Sequence, residues 1–381
     1  MITTEAWVLH AGPHSPTPGT LVRESYSFKD IADDEVLAEP IYGCWEANMA
    51  HAISRWPVDV CRQRGEERVV LGNAGVVRIL RTGGAVDTVR EGDLCVLVSV
   101  GIWDRYGYPL KILAYDAPGT MGVLAKRIKL HASQVYPISP DTRHALEQWA
   151  AFPIRYATAW DNWKVAYGAW RLQMDEKDGG AAHVWAWGGG VSLAELLLAK
   201  SYGCHTALIA SDDKRIELCR SLGITAIDRR RFPDLSYDEK KFRADLGYRK
   251  RYMRSETTFL DLVKEHTGGA GVSIFIDNIG GPVFRATGKA LARQGVITTC
   301  GWKEGTDLAI SRAAECVNRH IHVYTHGARH THEAVHYAEK HGWLAPAPEQ
   351  VYAWDDVPDL VRDYADGKVS TYFPIFKVNE L

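Results

Sequence analysis

Hydrophobic and polar positions follow two rhythms along the chain. Up to about residue 140 the apolar runs are short: "AWVLHAG", "EVLAEPIYG", "GVVRILRTGG", "DLCVLVSVG" and "KRIKLHASQVYPI". Gly, Pro and Asp punctuate them, which is the signature of strands and turns. After Pro140 the spacing turns helical in "HALEQWAAF" and in "YATAWDNWKVAYGAW", Tyr156 to Trp170. From Ala182 strand and helix alternate through "AHVWAW", "SLAELLLAKSYG", "HTALIAS", "DKRIELCRSLG" and "AIDRR". The alternation resumes with "FLDLVKEHTGG", "VSIFIDNIGG", "FRATGKALARQG", "VITTCGW" and "IHVYTHG". This predicts a parallel sheet covered by helices, in two halves of three strands each. Beyond residue 327 a helix ("THEAVHYAEKHG") and a terminal strand ("TYFPIFKVNEL") follow.

A length of 381 residues suits two domains rather than one core. The net charge of −2 supplies no global field toward nucleic acid or anionic membrane. The opening "MITTEAWVLHAG" does not read as a signal peptide, and no apolar run is long enough to span a membrane. The seven cysteines are scattered, odd in number and without CxxC, which points to reduced thiols in a cytoplasmic protein. The 13 tryptophans fit core packing or an aromatic-lined pocket. An insert from Arg229 to Thr258, crowded with Lys, Arg and Tyr, breaks the alternation. It reads as a solvated charged excursion, or as a basic surface for the phosphates of a nucleotide or CoA ester.

The most informative turn is "HVWAWGGGVSLAELLLAK". At a strand-to-helix turn the helix N–H groups and dipole favour a phosphate, provided no side chain intervenes. The GxGxxG fingerprint meets that condition with glycines. Here its six positions are Trp187, Gly188, Gly189, Gly190, Val191 and Ser192, so only the middle glycine is kept. Three glycines in a row still permit close approach, and Ser192 offers a hydroxyl. The next strand ends at Ser211, with Lys214 after it and Arg229 beyond the following strand. A small polar tip with basic neighbours fits NADPH/NADP better than NAD. Asp212 and Asp213 count against this, although they also read as helix N-cap residues.

The motif order resembles the medium-chain dehydrogenase/reductase superfamily over nearly the whole chain. "VVLGNAGVVRILRTGGAVDTVREGDLCVL" is similar to GHE-x-x-GxVxxVG…GD-V, "AAFPIRYATAWDNW" to P-x-x-x-T-A-Y, "GGGVSLAELLLAK" to GGVGxxAxQLAK, and "FIDNIGGPVFRAT" to FDxxGG. The resemblance is nearest to the zinc-independent branch, the quinone oxidoreductases and enoyl reductases, and within it to crotonyl-CoA reductase/carboxylases. It implies an α/β fold: a Rossmann doubly wound parallel sheet (155–327) plus a GroES-like β-rich catalytic domain (1–154, rejoined by 328–381). Trp45 stands at the usual first zinc ligand and Gly72-Asn73-Ala74 replace GHE, so no zinc is expected.

The resemblance further implies hydride transfer from NADPH to an enone or enoyl thioester, the carbonyl being polarised by hydrogen bonds. Trp45, Glu46 and Asn48 would flank nicotinamide and substrate, with a turn hydrogen bond as the other reading of Asn48. Tyr156 could donate a proton or be a core tyrosine, and His51 could act through water or simply pack. Thr158 matches the family threonine near the nicotinamide. Asn278 and Gly301, at two strand ends, are placed to meet the nicotinamide ribose and carboxamide. The carboxylases' CO2-binding set does not map cleanly, since Trp45 and Ala47 replace expected asparagines. The His-rich segment from His320 to His341 puts His332 and His336 on one helical face, a geometry compatible with metal, but without HExxH it suits a polar surface or phosphate contacts better, and no metal is expected. A small-molecule substrate, free or bound to CoA or a carrier protein, is expected, and a homodimer joined through edge strands such as "VITTCGW". A reductase of another carbonyl or imine, and a non-catalytic NADP-binding protein, are the rival readings.

Overall fold

The computed structural model describes residues 1–12, 17–175, 180–300, 304, 307–310, 313, 316, 319–325 and 329–381. The chain divides into two units, Met1–Ala157 with Ala328–Leu381, and Thr158–Gly327.

In the first unit the short apolar runs become antiparallel strands organised around Glu35–Cys44. This strand pairs with Gly75–Thr82 along its length, with Ile128–His131 near its start and with Ile375–Lys377 at its end. Pro40 lies beside a register shift in that ladder, where a missing N–H does least harm. Gly43 stands opposite Phe376, and any Cβ there would collide with the Phe376 ring. The tail is bound to the start of the chain by indoles as well. Trp7 Nε1 donates to the Trp354 carbonyl at 3.2 Å, and Trp354 Nε1 donates to Glu5 at 2.8 Å. The terminal strand expected in "TYFPIFKVNEL" is Ile375–Lys377.

In the second unit the predicted alternation yields six parallel strands. Their order is Thr225–Asp228, His205–Ala210, His183–Trp187, Val272–Ile276, Leu291–Thr299 and His322–Thr325. By sequence rank that is 3-2-1-4-5-6, the doubly wound sheet with its switch point between His183–Trp187 and Val272–Ile276. Val184 to Trp187 and the whole of Val272–Ile276 are buried, as strands covered on both faces must be.

Two expectations need correction. "VITTCGW" is not an edge: the strand Leu291–Thr299 has neighbours on both sides, and His322–Thr325 lies outside it. The charged insert is also more ordered than an excursion. The helix expected to resume at Phe259 already begins at Leu246 and runs to Thr267. Asp245 caps it by accepting from the Tyr248 N–H, and one face buries Tyr252, Phe259, Leu262 and Val263. Charges fill the other positions, so local composition hid a helix whose apolar stripe is sparse. Among the described residues no helix is long and apolar enough to cross a membrane.

Candidate functional site

The strand His183–Trp187 ends in the glycine turn, and the helix Gly190–Ser201 follows directly. Gly189 is its N-cap residue and contributes no side-chain cap. The first-turn N–H groups therefore face outward without a capping side chain, the arrangement that receives a phosphate. Trp187 does not obstruct the turn. It is fully buried, packed against Phe259 and Phe275, and its Nε1 donates to Thr287 Oγ1 at 2.8 Å. Thr287 in turn donates to Asp277 at 2.7 Å, and Asp277 accepts from the Gly280 N–H at 2.9 Å. An indole thus replaces the first fingerprint glycine by turning into the core.

Ser192, at the third fingerprint glycine, is also fully buried. Its Oγ accepts from Asn278 Nδ2 at 3.2 Å. Asn278 lies just past the strand Val272–Ile276, and its Oδ1 accepts from the Cys300 N–H at 2.8 Å. Below this, on the sheet-facing side of the same helix, is Glu195, which is 0% exposed. Its carboxylate receives Asn162 Nδ2 at 3.4 Å. Burial holds the Glu195 carboxyl well above its ordinary range, outweighing the hydrogen bonds of Asn162 and Thr298. Sequence reasoning missed Glu195, Asn162 and Cys300. One signal was available: Glu195 stands where GGVGxxAxQLAK has its alanine.

At the tip of His205–Ala210, Ser211 and Lys214 are exposed. Both neighbouring acids are engaged. Asp212 caps the helix Asp213–Ser221 by accepting from the Arg215 N–H at 3.0 Å, and Asp213 pairs with Arg230 at 2.7 Å. Arg229 is half-buried with its guanidinium over the Trp187 ring at 5.7 Å. Val191 and Thr158 are half-buried on their helices. Gly301 lies outside the described residues, as does His326.

In the first unit a buried polar triad holds the candidate catalytic segment. Arg155 places Nη1 2.7 Å from Glu46 Oε1 and 2.7 Å from Cys44 Sγ, while Nη2 donates to the Trp45 carbonyl at 2.8 Å. Burial pushes the Glu46 carboxyl up to about 7 against the pull of Arg155, and pushes the Cys44 thiol up to about 12. Asn48 and His51 follow on the helix Ala47–Ser54, both half-buried. The Asn48 Oδ1 is buried and meets no hydrogen-bond donor among the described residues. Tyr156 is fully buried between Phe152, Trp343 and Phe373, and burial raises its hydroxyl far above the usual phenol value. His332 stacks on Tyr136 at 4.4 Å.

Residues 190–339 match the family model described as "Zinc-binding dehydrogenase". Over that stretch the chain resembles the zinc-binding dehydrogenases. It is 26% identical over 239 residues to a crotonyl-CoA reductase of Streptomyces avermitilis, covering 61% of this chain and 50% of that one. The chain thus spans about half the length of the curated relatives it matches. Its fold is similar to that of the crotonyl-CoA carboxylase/reductase AntE in complex with NADP. There the TM-score is 0.80 at 17% identity, over 98% of this chain and 94% of that one. A 2-octenoyl-CoA carboxylase reductase, CinF, in complex with NADP and 2-octenoyl-CoA, gives a TM-score of 0.78 at 18% identity, over 99% and 88%. The fold is therefore that of the Rossmann and GroES-like dehydrogenases.

The family name implies zinc, and the residues here do not fit it. Trp45 presents an indole, fully buried, where a thiolate is needed, and Asn73 presents an amide. The adjacent Cys44 is no substitute, because its thiol is held protonated beside a guanidinium that would repel a cation.

Proposed function

We propose that this chain is an NADPH-dependent, zinc-free reductase that adds hydride to an activated carbon–carbon double bond in an enoyl thioester or enone. The observation carrying this reading is the uncapped glycine turn at the switch point, beside an exposed Ser211–Lys214 tip on the adjacent strand whose acidic neighbours are engaged. The turn would hold the pyrophosphate through the N–H groups of Gly190, Val191 and Ser192, close to Gly188 and Gly189. Ser211 and Lys214 would receive a 2′-phosphate, while Asp212 turns its carboxylate to its own helix cap and Asp213 is paired with Arg230. When bound, NADPH would supply the hydride.

Addition to a conjugated double bond places negative charge on the carbonyl oxygen, and hydrogen-bond donors can stabilise that charge without a Lewis acid. Asn48, whose Oδ1 is left unmatched, is the candidate for contact with substrate. Glu46, tied to Arg155, would orient the segment, and His51 would return the proton. Tyr156 holds its proton too tightly to ionise and would serve as a hydrogen-bond donor. The relatives named for crotonyl-CoA reduction favour a CoA-bound substrate. A non-catalytic NADP-binding protein is favoured by the burial of Glu46 and Tyr156.

Stopped-flow absorbance of NADPH against enoyl-CoA, enone and quinone substrates, with and without bicarbonate, separates these readings. Oxidation by an enoyl-CoA or enone supports the reductase. Binding without oxidation by any substrate leaves the non-catalytic reading, and failure to shift NADPH fluorescence ends both. Ser211→Asp should move the preference toward NADH by about tenfold or more, the worth of one charge-assisted contact.

A further inference from the structure

Three groups from separate parts of the sequence meet at the switch point of the second unit. Ser192 belongs to the first turn of the helix after His183–Trp187, Asn278 follows Val272–Ile276, and Cys300 follows Leu291–Thr299. Ligands of doubly wound sheets bind outside the carboxyl ends of the strands at this crevice. The middle residue of the bridge is held in one orientation. A backbone N–H can only donate, so the Cys300 N–H at 2.8 Å requires the oxygen of the Asn278 amide, not its nitrogen. The Cys300 thiol donates to the same oxygen at 3.3 Å, which occupies its second lone pair. The amide nitrogen therefore points the other way, and one of its protons goes to Ser192 Oγ at 3.2 Å. Of the four hydrogen-bonding positions of the amide, one N–H is left without a partner among the described residues.

We infer that Ser192 and Cys300 are positioning residues that make Asn278 a pure donor, so that it presents a single N–H to an acceptor oxygen on the nicotinamide half of a bound dinucleotide. This rests on the proposed NADPH reading and goes beyond it. It explains the serine at a fingerprint glycine: the hydroxyl replaces close helix–strand contact with a bond across the crevice. A glycine at 192 would leave the amide held on one side only. An aspartate at 278 would still accept from Cys300 and, after rotation of the Ser192 hydroxyl, from Ser192. It would have nothing to donate to the ligand.

The test compares two probes, NADPH and 2′,5′-ADP, the second lacking the nicotinamide half, by fluorescence and calorimetric titration. Asn278→Asp should weaken NADPH by about tenfold or more, from one lost hydrogen bond and an added charge, and leave 2′,5′-ADP unchanged. Ser192→Gly should weaken NADPH less, again sparing 2′,5′-ADP, while Cys300→Ser, which keeps both donors, should match the parent chain. Unchanged NADPH affinity in Asn278→Asp would overturn the inference. Equal loss of both probes would overturn it too, since that marks a structural role. If the parent chain bound neither probe, the NADPH reading itself would fall.

Discussion

Glu46 in the first unit and Glu195 in the second are both carboxylic acids almost entirely removed from water, at 4% and 0% exposure. Their neighbours differ. Glu46 faces the Arg155 guanidinium at 2.7 Å, whereas Glu195 faces the neutral Asn162 amide at 3.4 Å. In both, burial lifts the carboxyl above its ordinary 4.5, to about 7 for Glu46 and well above the ordinary value for Glu195. Only a full opposite charge offsets much of the desolvation. Glu46 thus keeps a partner for its charged form, whereas burial holds the Glu195 carboxyl toward its neutral form.

The largest effect expected comes from removing the charge that makes the two differ. Arg155→Met should cost about 3–5 kcal/mol at pH 8, because it leaves a buried carboxylate unpaired. The loss should shrink at pH 5, where Glu46 is already protonated, and chemical denaturation at the two pH values measures it. An equal loss at both would show that packing, not charge, sets the cost.

The second effect follows from the sign of the Glu195 shift. A folded value above the unfolded 4.5 means that the folded chain holds this proton longer. Its stabilising contribution is complete below pH 4.5 and is lost as pH rises through the folded value. Glu195→Gln removes that loss, so its melting temperature should match the parent near pH 4.5 and exceed it increasingly toward pH 9. A difference that stays flat with pH would mean Glu195 does not titrate in the interior. The smallest effect is that of Asn162→Ala, about 1 kcal/mol for one neutral hydrogen bond, read from the same melts. A loss as large as that of Arg155→Met would make the Glu195 site ionic after all.

These contrasts explain what could be read in advance. The strand and helix alternation after Ala182 was legible because each element's periodicity lies within a few consecutive residues. The helix Leu246–Thr267 was half hidden, since its buried face uses one residue in three or four within a charged stretch. Glu46 was legible as a candidate but not as the partner of Arg155, which lies 109 positions further along the chain, from residue 46 to residue 155. Trp187 and Ser192 were visible as departures from a glycine pattern, with nothing local to say where their side chains would turn.

The sequence by itself determined the order of elements, the doubly wound topology, the glycine turn and the Ser211–Lys214 tip, because these depend on local periodicity and on residue type. Only the tertiary structure decided which polar groups meet. Trp187 reaches Thr287 across 100 positions, and Asn162 reaches Glu195 across 33. A buried polar group takes whatever donor or acceptor the packed sheet brings within about 3 Å, and that choice is made by elements far apart in the chain.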